Sequence, residues 1–237
     1  MIKLKPAFIK TKNVRNFEVM IGGLEMVNGE GCLAMVYGRA GRGKTRTTQW
    51  HCANRGDAYV RVATIWKHSE LDFLKTMAVE LGIMSPPSRK GSAYKAVIDA
   101  LIESPTRVFL DEIEKMPPAF LDIVRDISDV SACPFVMIGE EELVTVMKRN
   151  RRVWSRTFQM LEFKPIEPAD VLTFAHDAGG LKFDAPAAVE LCSASGGDFR
   201  LVKRDLLKVM QFAWAQKLEN IGLDQVKLAV KAGLRGA

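Results

Sequence analysis

Residues 38–45 of this 237-residue chain read GRAGRGKT, and this segment is the strongest indication of its fold. It fits the pattern Gly-x-x-x-x-Gly-Lys-Thr, in which glycines let backbone N–H groups close around clustered phosphates. Lys44 is placed to reach the β- and γ-phosphates, and the Thr45 hydroxyl to bind Mg²⁺. We therefore expect ATP to be held by a run of consecutive residues: Gly38, Arg39, Ala40, Gly41, Arg42, Gly43, Lys44, Thr45 and Arg46.

The sequence on either side of this loop supports the motif. Residues 32–37 form an apolar run of buried-strand length, and residues 45–54 contain neither Pro nor Gly and favour a helix. Such a helix directs the positive end of its dipole at the bound phosphates. Strand, glycine loop and helix follow in the order that phosphate binding requires.

Composition narrows the protein class. The chain is 48% hydrophobic, and no apolar run approaches the length of about 20 residues that a membrane span needs. Its basic N-terminus lacks the continuous apolar segment of a signal peptide. The scattered cysteines predict buried thiols in a reducing cytoplasm, not a disulfide framework or a zinc site. The net charge of +6 suits a polyanionic partner, but an ordinary basic enzyme suits it equally.

Strands alternate with helices up to Phe163, which predicts an α/β fold with a doubly wound parallel sheet. Beyond Phe163 the pattern predicts helices with no convincing strand between them. We therefore expect a nucleotide-binding core with a basic N-terminal arm over residues 1–164 and a small helical lid domain over residues 165–237.

A second motif, RVFLDE at residues 107–112, ends an apolar strand in two carboxylates. Asp111 is assigned to Mg²⁺ and Glu112 to the general base that polarises the attacking water. Glu114 is interpreted as a surface charge. A pair of acids at this place is typical of enzymes that transfer phosphate to water, whereas a small-molecule kinase needs an acceptor pocket.

Two motifs that contain arginine further support the interpretation that the chain hydrolyses ATP. Residues 151–158 read RRVWSRTF and residues 196–200 read GGDFR. With the phosphate loop and the Asp-Glu strand, they resemble the AAA+ superfamily. The resemblance implies that Arg156 is an arginine finger for the nucleotide of a neighbouring subunit, with Arg151 or Arg152 as alternatives, and that Arg200 is a sensor-2 residue. Both cations would stabilise charge on the transferring phosphoryl group.

Within that superfamily the chain is most similar to the transposition ATPases of the MuB, TnsC and IstB kind, especially the MuB-like target DNA activators of Mu-like phages. The segments VFLDEIEKM, MIGEEEL and GGDFRLVKRDL carry this resemblance together with the arginine box. It implies an ATP-dependent protein in the bacterial host cytoplasm that forms a helical filament or ring on DNA. Such proteins deliver target DNA to a transposase and stimulate it.

The chain departs from the family pattern in two respects. The stretch before Gly38 is too short for the N-terminal helix-turn-helix domain that MuB proteins typically carry, so DNA binding is expected to depend on the core and lid. AAA+ proteins usually place Asn, Thr or Ser at the end of the fourth strand, whereas here Ile138 and Gly139 are followed by Glu140. Glu140 is a candidate for orienting water, and hydrolysis is expected to be slow and stimulated by DNA or a partner.

Nonspecific DNA binding needs Lys and Arg side chains that contact phosphates. The resemblance and the basic clusters indicate seven candidates: Lys67, Arg89, Lys90, Lys148, Arg149, Arg151 and Arg152. For the cluster over residues 148–152, a solvated helix end is as good an explanation as a DNA or subunit contact. Trp66, beside Lys67, is expected to pack in the core.

Three other functions remain open at the level of sequence: a helicase loader or replication initiator, a small-molecule kinase, and a nucleotide switch that does not hydrolyse ATP. The histidines have no carboxylate or cysteine partners at ligand spacing, so no metal other than Mg²⁺ is expected.

Overall fold

The computed structural model describes residues 4–24, 26 and 32–232, and of Lys67, His68 and Ala232 only the backbone. Five parallel strands form the main sheet: β1 (Leu33–Tyr37), β2 (Ala58–Arg61), β3 (Val108–Asp111), β4 (Phe135–Ile138) and β5 (Thr157–Glu162). Short 3-10 helices follow β2 and β3, at Thr64–His68 and Ile113–Lys115. The first seven helices are α1 (Lys12–Leu24), α2 (Lys44–Arg55), α3 (Glu70–Glu80), α4 (Lys90–Glu103), α5 (Ala119–Ser131), α6 (Glu142–Arg149) and α7 (Arg151–Ser155).

The C-terminal part of the chain is mostly helical. Its helices are α8 (Pro168–Gly179), α9 (Ala185–Ala194), α10 (Phe199–Ala215) and α11 (Leu223–Ala232). Two short parallel strands, β6 (Lys182–Phe183) and β7 (Asn220–Ile221), pair between them. The expectation that no strand lies in this region was wrong, because two-residue strands are too short to show an alternating pattern.

The chain divides into two compact units. The sheet unit comprises Asn16–Arg39 and Gly43–Phe163. The helical unit comprises Met1–Arg15, Ala40–Arg42 and Lys164–Ala237. The division into a core over 1–164 and a lid over 165–237 stays a prediction.

The sheet unit is built on strand order β2-β3-β4-β1-β5, with all pairs parallel. Its central strands β1, β3 and β4 are apolar on both faces because each face is covered by helices. Parallel pairing brings the carboxyl ends of all five strands to one edge, where ligands bind in such sheets. This confirms the predicted α/β class with a doubly wound parallel sheet.

The helical unit has its own apolar core, formed by α8–α11 with Ile9 and Ile221. Residues 4–15, which lie in the predicted basic N-terminal arm, belong to this unit and are hydrogen-bonded to it. The Lys5 N–H donates to the Ala178 carbonyl at 2.9 Å, and the Asn13 side chain donates to the Lys164 carbonyl at 2.8 Å. The apolar residues of the arm were a signal that it packs.

The cysteines are free thiols, and three of them are buried. Burial raises the pKa of Cys32 to about 11 and that of Cys52 to about 12, so both stay protonated. None of the helices in the described ranges has the length and apolarity that crossing a membrane requires.

Candidate nucleotide-binding site

The phosphate loop begins where β1 ends, and its backbone needs glycine. Gly38, Gly41 and Gly43 have φ values of 140°, 78° and 94°, a region that other residues rarely adopt. At Gly38 space is short as well, because a Cβ would lie 2.6 Å from the Phe163 carbonyl oxygen. Gly43 is the N-cap of α2, so the helix points its free N–H groups into the loop.

Lys44 lies inside the loop that it is expected to serve. It is 9% exposed, and its Nζ donates to the carbonyls of Gly38 at 2.5 Å and Arg39 at 3.0 Å. This buried ammonium is the charge that a phosphate would meet. Thr45 is partly exposed, whereas Arg39, Ala40 and Arg46 are exposed.

The middle of the loop, residues 40–42, belongs to the helical unit. The Phe199 N–H donates to the Gly41 carbonyl at 2.9 Å, and the Arg42 guanidinium donates to the Gly196 carbonyl at 2.8 Å. Arg42 is only 8% exposed. Both partners lie in the GGDFR segment, so two motifs that the sequence indicated separately are hydrogen-bonded to each other.

Asp111 ends β3 and is almost completely buried. The Tyr59 hydroxyl, from the neighbouring strand β2, donates to its Oδ2 at 2.8 Å. Burial and the adjacent carboxylate raise the pKa of Tyr59, which keeps this hydroxyl protonated and able to donate. Tyr59 thus fixes the orientation of the Asp111 carboxylate.

Glu112 has a left-handed backbone, with φ 63° and ψ 32°, which is unusual for a residue with a side chain. Its carboxylate accepts from Arg61 at 2.9 Å and from Lys115. Burial alone would raise the pKa of Glu112, but the hydrogen bonds and charges of these two cations outweigh it and lower the pKa. Glu112 is therefore ionised at neutral pH and turned out of the strand direction.

The available oxygen ligands fit Mg²⁺. Thr45 offers a hydroxyl and Asp111 a carboxylate, the hard oxygen donors that this ion prefers. In the described ranges no group of three or more His, Cys, Asp or Glu side chains could hold a metal by itself. Mg²⁺ usually keeps few protein ligands and takes others from nucleotide phosphates, which agrees with this sparse set.

Glu114 is not the surface charge expected from the sequence. Its Oε2 is buried and has no hydrogen-bond partner within the described part of the chain. Burial raises the pKa of Glu114. Glu140, the sequence-based candidate for orienting water, is exposed.

Arg156 follows α7 and donates from Nε to Asp129 of α5 at 3.0 Å. A cavity of about 360 Å³ lies here, lined by Arg125, Asp129, Arg152, Ser155 and Arg156. Arg151 and Arg152 are exposed at the start of α7. The three finger candidates therefore lie on one short segment, and Arg152 and Arg156 line the same cavity.

Arg200 is exposed in the first turn of α10. Asp198 caps this helix, because its Oδ1 accepts from the backbone N–H groups of Arg200 at 2.7 Å and Leu201 at 3.3 Å. The cap fixes where α10 begins and therefore the position of Arg200 in its first turn.

A family model described as AAA domain matches residues 28–147, just over half of the chain. The chain belongs to the AAA+ ATPase family. Membership of this family implies nucleotide binding, whereas the individual residues of the site stay a prediction.

Two relatives extend the similarity beyond the matched domain. Mu-like prophage FluMu DNA transposition protein B of Haemophilus influenzae is 27% identical over 206 residues, or 83% of this chain and 70% of that protein. ATP-dependent target DNA activator B of Escherichia phage Mu is 23% identical over 176 residues, or 72% of this chain. The chain spans 55% of that phage protein. The predicted resemblance to AAA+ proteins of the MuB kind is confirmed.

Among solved structures, Cdc6p from Pyrobaculum aerophilum superimposes with a TM-score of 0.68 at 15% identity, over 96% of this chain and 69% of that one. At this identity the similarity shows the AAA+ fold alone.

The predicted DNA-contacting residues of this AAA+ chain lie in two places along the sheet unit. Arg89 and Lys90 are exposed at the start of α4, and Lys90 pairs with Glu70. Lys148 and Arg149 are exposed at the end of α6, and the Lys148 ammonium lies 5.4 Å from the centre of the Trp154 ring. The Lys67 side chain lies outside the described residues. Trp66 packs partly buried against the core, as predicted.

Sequence reasoning missed the partners of the AAA+ site residues. Tyr59 and Arg61 alternate along β2, and parallel pairing with β3 sets Tyr59 beside Phe109 and Arg61 beside Asp111. The patterns also did not indicate the hydrogen bond between His51 and Asp57, in which Nε2 and Oδ2 lie 3.1 Å apart. For Tyr59 and Arg61 a signal was available, because both are polar residues on β2, the edge strand next to the strand that ends in Asp-Glu.

Proposed function

We propose that this chain is an ATP-dependent, sequence-nonspecific DNA-binding ATPase that oligomerises on double-stranded DNA, delivers target DNA to a transposase and activates that transposase. One observation carries the catalytic part: a phosphate loop after β1 and the pair Asp111-Glu112 after β3 occupy the same edge of a parallel sheet. The functions for which the two relatives are named, DNA transposition and ATP-dependent target DNA activation, support the biological part.

In this proposal the residues of the loop, 38–46, bind the phosphates through backbone N–H groups and the Lys44 ammonium. Thr45 and Asp111 would hold Mg²⁺, and this ion would neutralise charge on the phosphate oxygens. Glu112 accepts a hydrogen bond from the attacking water and takes its proton as the water oxygen bonds to the γ-phosphorus; the bond from that phosphorus to the bridging oxygen breaks, and ADP leaves. Because Arg61 and Lys115 already bond to the Glu112 carboxylate, we expect slow hydrolysis until a partner or DNA rearranges these contacts.

Arg156 is proposed to complete the site of a neighbouring subunit, and Arg200 to interact with the nucleotide of its own subunit. Arg156 is 46% exposed and anchored by a single carboxylate, Asp129, so its guanidinium is accessible to an anion on another copy. Arg151 and Arg152 are retained as alternative fingers. A cation supplied in trans makes hydrolysis depend on assembly.

DNA binding is assigned to phosphate contacts by Lys67, Arg89, Lys90, Lys148, Arg149, Arg151 and Arg152. Exposure of six of these side chains and the net charge of +6 support the assignment.

Nucleotide binding is assigned to the core, residues 1–164, and a lid function to residues 165–237. The site of action is the bacterial host cytoplasm, as implied by the phage and prophage relatives.

The test is retention of nonspecific duplex DNA with ATP, with ADP and without nucleotide, with oligomer size followed by light scattering. We expect stable retention and large particles with ATP alone. Binding that is equal in all three conditions contradicts the proposal. A stable complex with a replicative helicase in place of a transposase favours the helicase-loader alternative.

A further inference from the structure

The end of β4 lies between the two halves of the proposed catalytic machinery. Its neighbours are β1, which leads into the phosphate loop, and β3, which ends in Asp111. Ile138 is in register with Asp111, and the Gly139 N–H donates to the Val36 carbonyl of β1 at 3.0 Å. A polar side chain at position 139 would therefore lie at the edge of the sheet where β1 leads into the phosphate loop. This chain has glycine there.

The backbone does not require that glycine. Gly139 is not among the glycines with positive φ, so its conformation is open to any residue. The space beside Gly139 is filled by the Glu114 side chain, which a larger residue at position 139 would have to displace. A Cβ at position 139 would overlap Oε2 of Glu114, and the Glu114 Cδ would lie 3.0 Å away.

Glu114 reaches this point from the 3-10 turn that directly follows Glu112. Burial raises the pKa of its carboxyl, and the negative charges of Glu140 and Asp111 act in the same direction. The backbone N–H groups of Glu114 and Glu140 interact with the carboxyl and oppose the rise. The Glu114 side chain, which starts in the turn after β3, thus ends against Gly139, the first residue after β4.

An inert filler would be apolar at this position. The Cδ2 of Leu143 lies 3.0 Å from the same point, so apolar atoms already line the space. A buried carboxyl oxygen without a protein partner costs free energy, and such groups concentrate at functional sites. The cost is explained if the group acts in the reaction.

We propose that Glu114 is a positioning residue for ATP hydrolysis: its carboxyl supplies, from the β3 side, the polar group that the end of β4 lacks. It holds the turn carrying Glu112 against the Gly139–Glu140 backbone, and so fixes the general base relative to the phosphate loop. This inference rests on the proposed hydrolysis. It replaces Glu140, which is exposed, as the group that acts at this strand end.

The experiment moves the polar group from one strand to the other. Four variants are compared with the wild-type chain: Glu114→Ala, Glu114→Gln, Gly139→Asn and the double variant Glu114→Ala/Gly139→Asn. Glu141→Ala is the matched control, because Glu141 is an exposed acid at the same turn. For each, single-turnover ATP hydrolysis and affinity for a fluorescent ATP analogue are measured, with thermal melting as the check on folding.

We expect Glu114→Ala to lower the hydrolysis rate about 10- to 100-fold, as for other outer residues that orient reacting groups. Nucleotide affinity should stay within about threefold. Gly139→Asn should also lower the rate, because its side chain displaces the carboxyl. Glu114→Gln keeps shape and acceptor and should stay within about threefold of wild type. The double variant should recover most of the loss, since Asn then provides the polar group from β4.

A wild-type rate in Glu114→Ala overturns the inference while leaving the proposed function intact. So does a double variant no faster than Glu114→Ala with normal melting. Parallel losses of melting temperature and nucleotide affinity in Glu114→Ala and Glu114→Gln indicate a structural role alone. If the wild-type chain binds the analogue but hydrolyses no ATP, the proposed function fails first, and the inference with it.

Discussion

The backbone conformation of Glu112 and its two cationic partners fix the position and the charge of its carboxylate. Its left-handed backbone turns the carboxylate away from the strand, and Arg61 and Lys115 hold it. A backbone conformation of this kind costs free energy and persists where the surroundings impose it, often at functional sites. The same two cations keep the carboxylate ionised. These features suit a general base that is ionised and already fixed in position before a water molecule binds.

Replacing Glu112 by Gln should separate binding from hydrolysis. The amide keeps the size of the side chain but cannot take a proton, so we expect the single-turnover rate to fall about 100- to 10,000-fold. ATP affinity should change little, and the variant should stay on DNA in its ATP-bound state. Glu141→Gln, at an exposed acid, serves as the control. A Glu112→Gln variant with unchanged turnover and DNA release would identify the chain as a nucleotide switch.

Asp57 is a buried carboxylate that contacts His51 and Arg107. Its side chain is 5% exposed, His51 approaches Oδ2 at 3.1 Å, and Arg107 donates to Oδ1 at 3.0 Å. The His51 ring packs against Phe17 and Phe109. Burial would raise the pKa of Asp57, but the hydrogen bonds and charges of His51 and Arg107 lower it below its ordinary value of 3.8.

Asp57→Asn should destabilise the chain by about 3–5 kcal/mol in denaturant unfolding, because it breaks a buried ion pair. Since the pKa is lowered in the folded chain, this contribution is complete above pH 3.8 and is lost as the pH falls through the folded-state pKa. The gap between variant and wild type should therefore close in strong acid. Asp99→Asn, in an exposed pair with Lys95, should cost less than about 0.5 kcal/mol. A gap that does not depend on pH would contradict this assignment.

The sequence contained the residues of the phosphate loop and the Asp-Glu pair, because their spacing is local. It did not contain the partners that orient them. Tyr59, Arg61 and Glu114 act across strand pairs, and which residues stand side by side depends on register, which a single sequence does not show. Glu114 looked like a surface charge because burial of one carboxyl has no periodic signal.

At the scale of elements, the start of α10 joins two motifs. Asp198 caps the helix that carries Arg200, and the adjacent Phe199 N–H bonds to Gly41 of the phosphate loop. The cap was readable in the letters GGDFR, because Asp is a favoured N-cap residue. Its link to Gly41 was not, since it joins segments far apart in sequence.

Asp198→Ala should destabilise α10 by about 1 kcal/mol, the usual cost of losing an N-cap side chain. Hydrogen exchange of amides in the first turn should quicken by the corresponding factor of about five. Asp198→Asn retains a capping oxygen and should behave like the wild-type chain. Equal exchange rates in the Ala and Asn variants would show that the cap does not hold this helix.

Long periodic helices such as α3 and α5 were predictable, and the Ser69 side chain caps α3 by accepting from the Asp72 N–H. The pair β6–β7 was not, because two residues carry no period. The packing of residues 4–15 was also missed, since a short basic segment resembles a mobile tail until Ile9 is seen to be buried.

For the whole molecule, the proposed ATP hydrolysis depends on contacts between subunits. Arg156 sits beside Asp129 and Arg152 on the sheet unit, accessible at a cavity of about 360 Å³. An arginine that works on a neighbour's nucleotide requires head-to-tail contacts, which generate rings or helical filaments. Composition alone gave only the net charge of +6, which is compatible with DNA but does not specify it.

The most direct test mixes two inactive variants. Lys44→Ala lacks the phosphate-binding ammonium but keeps its arginines, whereas Arg151→Ala/Arg152→Ala/Arg156→Ala keeps the loop and lacks every candidate finger. In an equal mixture about one quarter of head-to-tail interfaces join an intact loop to intact arginines. We predict that ATP hydrolysis in the presence of DNA, absent in either variant alone, returns to about that fraction of the wild-type rate. Full activity in the triple variant alone, or no recovery in mixtures that still co-assemble on DNA, would contradict the account.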